Sequence, residues 1–150
     1  MPNLPYHRLL SLHAHQQDAQ LEWRLDISEA MDILRIQFAS FLGVPSLTSQ
    51  NSHHRYVEWQ TPSYDEFSLD KPGVIEYLNG HFVVCANIII ALVRGQETSV
   101  SYCQCPVQIR RCSTGVEYRV VLQRERWTGN VETVIQRIMM ALVKQLTRSL

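Results

Sequence analysis

The chain lacks a clean membrane span. Its best candidate, residues 74–93, carries Glu76, Asn79, His81 and Asn87, each costly in hydrocarbon. The opening stretch, MPNLPYHRLLSLHAH, has no small-residue cleavage site and is not read as a signal peptide. Four cysteines in 150 residues are too few for a disulfide scaffold. They are taken as reduced thiols of a cytoplasmic protein. Net charge is absent, 14 basic residues balancing 14 acidic ones. Also missing are G-x-S-x-G, the P-loop, the dinucleotide-binding glycine signature and H-E-x-x-H. The motif-borne hydrolase, nucleotide-binding and zinc-protease chemistries therefore have no footing. No internal repeat, low-complexity segment or linker interrupts the chain, and residues 1–150 read as a single globular domain.

What is present is organised around Phe82 to Val93, FVVCANIIIALV, which is apolar throughout except for Asn87. Length and periodicity leave strand and buried helix open. The β-branched residues Val83, Val84, Ile88, Ile89 and Ile90 favour strand, as do the bounding Gly80 and Gly95. Both alternating faces are apolar, so the strand is central and something must cover each side. The helices on offer are few, which points to a second copy of the chain over one face.

Before this strand, residues 1–19 are ambiguous, with a short strand or turn near Arg8 to His13. Leu21 to Leu25 (LEWRL) alternates as a half-buried strand. Asp26 and Glu29 resemble a capping box opening a helix over 27–42. Its apolar stripe is Ile27, Ala30, Met31, Leu34, Phe38, Phe41 and Leu42, and it is stopped by Gly43 and Pro45. Loops are expected over 44–53 and 61–73, strands over 55–60 and 74–78, and a hairpin turn at Asn79-Gly80. After the central strand, residues 94–98 turn into a strand over 99–110. Its Pro106 marks it as an edge strand or one with a bulge. Ser113-Thr114-Gly115 turns into a strand over 116–126. Asn130 caps a helix of about 131–148 with a wide apolar face. The fold class is α+β: an antiparallel sheet of four to six strands with two main helices (about 27–42 and 131–148) on one face.

Three chemistries bear on function. Cys103 and Cys105 on one strand face, with Cys112 nearby, supply soft ligands. However, C-x-C on a strand sets the sulfurs about 7 Å apart, against the C-x2-C turn that zinc favours. Buried thiols are the expectation, with no metal and no cofactor. His53-His54 and Asp65-Glu66 read as solvated loop residues. A small enzyme is the third reading, resting on Pro2 as an N-terminal amine base or on Cys112 as a reactive thiol beside Arg110 and Arg111.

Charge is unevenly spread. Residues 1–105 carry six basic and eleven acidic residues, and residues 106–150 carry eight basic and three acidic. Arg110, Arg111, Arg119, Arg124 and Arg126 form a set suited to phosphates, which makes nucleic-acid binding the second reading. The first is a non-enzymatic protein-interaction or adaptor module that self-assembles as a homo-oligomer, with Trp59, Trp127 and Met139 as interface candidates. No membrane partner is expected.

Overall fold

A computed structural model describes residues 4–45, 56–60, 74–78, 81–93, 100–121 and 126–148. The protein is α+β. A long helix, α1 (Pro5–Leu42), is followed by strands β1 (Val57–Gln60), β2 (Val74–Leu78), β3 (His81–Val93), β4 (Val100–Cys112) and β5 (Gly115–Val120), then helix α2 (Val131–Arg148). All pairings are antiparallel. β4 takes one edge of β3, while β1 and β2 lie end to end along the other, against residues 87–90 and 81–85. Five strands thus occupy four lateral positions.

The central strand holds the sheet together as its sequence requires. Val84, Ala86, Ile88 and Ile90 of β3 align with Ile109, Val107, Cys105 and Cys103 of β4, and all eight are buried. Val57 and Trp59 of β1 and Tyr118 and Val120 of β5 extend the same face. Both helices cover it. Ile27, Ala30, Met31, Leu34 and Phe38 come from α1, and Val134, Ile135, Ile138, Ala141 and Leu142 from α2, giving one contiguous core. Two donors pin α1 to the sheet. Trp59 Nε1 donates to the Met31 carbonyl at 2.9 Å, and Tyr118 Oη to the Ala30 carbonyl at 3.1 Å. Burial pushes the Tyr118 hydroxyl up to about 12, keeping it protonated as a donor.

α1 corrects the sequence reading at its start. Leu21 to Leu25 is not a strand, and Arg8 to His13 is neither strand nor turn: both are helix. The helix begins at Pro5 rather than at 27. Pro5 occupies the first helical position, where its missing N–H is one of the amides left free anyway. From residue 6 to 42 there is no glycine or proline, so nothing breaks the helix. A five-residue alternation is too short to outweigh that continuity. Asp26 sits mid-helix and caps nothing. The C-terminus ends as expected at Gly43, in the left-handed conformation (φ 76°). Gly43 N–H donates to the Ser40 carbonyl and Val44 N–H to the Ala39 carbonyl, the double closure that left-handed glycine permits.

β4 corrects the proline expectation. It is an interior strand, between β3 and β5, and its register with β3 runs from Val83↔Arg110 to Val93↔Val100 without a bulge. A residue's N–H and C=O point to the same side of an antiparallel strand. The Pro106 carbonyl accepts from Val121 N–H, on the β5 side. The missing donor therefore falls where β5 ends at Val120, and the β3 ladder loses nothing. β5 is also shorter than the expected 116–126; residues 122–125 lie outside the described residues. So do the expected loops over 46–53 and 61–73, and the turns at Asn79-Gly80 and 94–98. α2 begins as read, with the Asn130 side chain accepting from Thr133 N–H at 3.2 Å. Among the described residues, no helix is long and apolar enough to cross a membrane.

Candidate functional site

α1 meets the sheet from Glu22 onward, with Trp23 packed half-buried against the core and full burial starting at Ile27. In the first half of the helix, Pro5 to Asp26, every residue is exposed except Trp23 and Asp26, which are half-buried. At 1.5 Å per residue, that half projects about 30 Å. It is not a polar extension. Tyr6, Leu10, Leu21 and Leu25 are 68, 47, 58 and 61% exposed. With Ala14 and Gln17 they recur at spacings of four, four, three, four and four. At 100° per residue these six positions fall within an arc of about 100°. The stripe buried against the sheet, Ile27 to Phe38, occupies a similar arc centred about 110° away. Leu9 and Leu12, also exposed, continue the sheet-facing arc beyond the sheet, whereas the six-residue stripe is a second face of the helix, turned aside from the core.

The root of this projection is tied down. Arg111 of β4 reaches Asp26 at 3.3 Å and Glu22 at 3.7 Å. Beside it lies an open cleft of about 620 Å³, walled by Trp23, Arg24, His81, Phe82, Arg111 and Cys112. Trp23 and Phe82 meet edge to face, ring centres 6.3 Å apart. At the cleft's rim, the Cys112 thiol donates to the Gly115 carbonyl at 3.2 Å.

The arginine set does not converge. Arg110 and Arg119 lie on the sheet face opposite the helices. Arg110 binds Glu117 at 2.7 and 3.0 Å, and this pairing holds the Glu117 carboxyl below its ordinary value. Arg119 donates to the Gln108 amide oxygen. Both guanidiniums stack on Trp127, at 4.2 and 4.8 Å from its ring centre. Trp127 thereby fastens the chain leaving β5 back onto the sheet. Arg111 lies on the helix side. The exposed Arg126 offers its carbonyl to Arg137, and Arg124 lies outside the described residues. Trp59 is buried in the core, while Met139 is half-buried on α2.

The thiols separate similarly. Cys103 and Cys105 are buried in the core. Burial, then the neighbouring Cys103, pushes the Cys105 thiol up to about 12, and burial raises Cys103. Cys112 stands seven strand residues beyond Cys105, roughly 23 Å away. Among the described residues, no three His, Cys, Asp or Glu side chains converge as metal ligands. Pro2, His53-His54 and Asp65-Glu66 lie outside the described residues.

In the projecting half of α1 the apolar residues are spread over more than one face, Leu9 and Leu12 on the sheet-facing arc and Leu10 and Leu21 on another, so no single stripe marks it. The available signal was the absence of glycine and proline from residue 6 to 42. Comparison with family models, with curated proteins and with solved structures finds no match.

Proposed function

We propose that the protein is a non-enzymatic interaction module that self-associates through the projecting half of α1, leaving its other surfaces free for an adaptor role. One observation carries this reading: about twenty helical residues, with an apolar stripe, are covered by nothing among the described residues. Most helical stability in proteins comes from packing an apolar face, and this segment packs little of its own among the described residues. A partner supplies that packing. Four free cysteines suit a reducing, cytoplasmic setting.

Light scattering behind size exclusion tests the reading, on protein at about 100 μM, since apolar association is concentration-dependent. The expected result is a dimer or larger species that persists from low to high salt, because apolar burial is not screened. A monomer at both salts overturns the reading. The divided, internally paired arginines favour no single nucleic-acid surface. A salt-sensitive shift on mixing with DNA or RNA would revive that alternative.

A further inference from the structure

We infer that two copies meet through their α1 projections as an antiparallel pair, with the two-fold axis passing between the helices at the level of His15 and Gln16. This rests on the self-association proposed above and specifies its geometry. The exposed stripe is symmetric about that point. In an antiparallel pair Leu10 lies beside Leu21 of the second copy, Tyr6 beside Leu25, and Ala14 beside Gln17. Large apolar residues fill the outer layers, and small Ala14 sits near the axis, where the helices approach most closely.

The stripe also has the period such a seam needs. Tyr6 and Gln17, Leu10 and Leu21, and Ala14 and Leu25 are each eleven residues apart. Eleven residues in three turns is about 3.67 per turn, close to the 3.6 of a straight helix. The seam therefore stays on one face from Tyr6 to Leu25 without marked supercoiling. Gln17 is the polar member. The two copies of Gln17 flank the two-fold axis on opposite sides, about 4.5 Å apart along the helix direction, so their amides can bond to each other. A central polar pair of this kind fixes register.

The antiparallel sense is favoured over the parallel one on charge. Parallel helices would set Asp18 level with Asp18 and Arg24 level with Arg24 along the flanks of the seam, with no opposite charge at either level. The antiparallel pair sets Arg24 beside the Tyr6 ring of the second copy, an arrangement suited to a cation–π contact, and opposes the helix dipoles. Because the seam points about 110° from the sheet-facing stripe, the second helix lies alongside α1 and stays out of the cleft. Two faces about 30 Å long bury on the order of 1,000 Å² in total, near the lower bound for a specific dimer. The dimer is thus expected to be concentration-dependent.

Disulfide trapping distinguishes the alternatives while leaving Leu10 and Leu21 in place. Tyr6→Cys and Leu25→Cys chains, differing in size by a tag, are prepared in a Cys85→Ser, Cys112→Ser background and oxidised separately and mixed. In the antiparallel pair, positions 6 and 25 are adjacent across the seam, while like positions are roughly 28 Å apart, beyond disulfide reach. The disulfide is expected only in the mixture. Disulfides between like chains, formed alone and in the mixture, with none joining the two differently sized chains, would mean a parallel pair and overturn the inference. No disulfide in chains that light scattering shows to be dimeric would place the interface elsewhere, overturning the inference while leaving self-association standing. Monomeric chains throughout would overturn both.

Discussion

The two halves of α1 belong to one uninterrupted helix and share its backbone geometry, yet they live in different surroundings. Residues 27–42 bury Ile27, Leu34 and Phe38 completely against the sheet. Residues 5–26 carry comparable apolar side chains, including Leu10, Leu21 and Leu25, and leave them in water. What differs is only what each half meets. Helix continuity follows from local propensity and from the residues at the two ends. The stability of the second half follows from burial, which the first half has little of among the described residues.

The largest expected contrast is in core truncation. Phe38→Ala should destabilise the monomer by about 3–5 kcal/mol in denaturant unfolding, through lost burial and the cavity left behind. Leu21→Ala, measured on dilute monomer, should change it by less than about 0.5 kcal/mol, as at other exposed positions. Equal losses at the two positions would erase the distinction between the halves.

A smaller effect lies in the donor that fastens the buried half. The Tyr118 hydroxyl is raised to about 12 by burial, against an ordinary value near 10. The neutral form is favoured in the folded state, so its contribution is complete below pH 10. It is lost as pH rises from 10 to 12, where the unfolded chain gives up the proton and the folded chain does not. The loss should approach about 2–3 kcal/mol by pH 12. Cys105, also raised to about 12, acts with the same sign from about pH 9. Unfolding across this range should be visibly less pH-sensitive in Tyr118→Phe. An unchanged slope would mean that the hydroxyl is not held neutral beneath α1.

The smallest effect concerns the junction between the halves. Arg111→Ala removes the ties to Glu22 and Asp26. These are partly exposed pairs, so global stability should fall by less than about 1 kcal/mol. Hydrogen exchange should nonetheless quicken at residues 22–26 while residues 30–42 stay protected. Uniform quickening along α1 would show that the helix opens as one unit.

Much of the fold could be read from residue patterns. The β-branched run Val83 to Ile90 became the central strand, the Asn130 cap started α2, and Gly43 ended α1. Each is a local signal whose effect does not depend on distant residues. In the first half of α1 the apolar residues are spread over more than one face, so the short alternation of Leu21 to Leu25 stands out over the longer helical period although the segment is helix. Pro106 misled for a different reason: it removes one donor, and whether that donor was needed depends on where β5 ends.

Of the candidate residues, the chemistry was legible but the placement was not. The arginines near the C-terminus are close in sequence, yet strand alternation sends Arg110 to one face of the sheet and Arg111 to the other. Their partners come from far along the chain: Glu22 and Asp26 for Arg111, Trp127 for Arg110 and Arg119.

By itself the sequence determined which segments would be helix or strand and where most of them would stop, because glycine, proline, caps and β-branching act over a few residues. Tertiary structure alone decided which face of β3 receives both helices, which carboxylates and rings neutralise the arginines, and which half of α1 is left bare. Those outcomes are set by burial and charge pairing between residues distant in sequence, and alternation along a strand marks two faces without saying what will cover either.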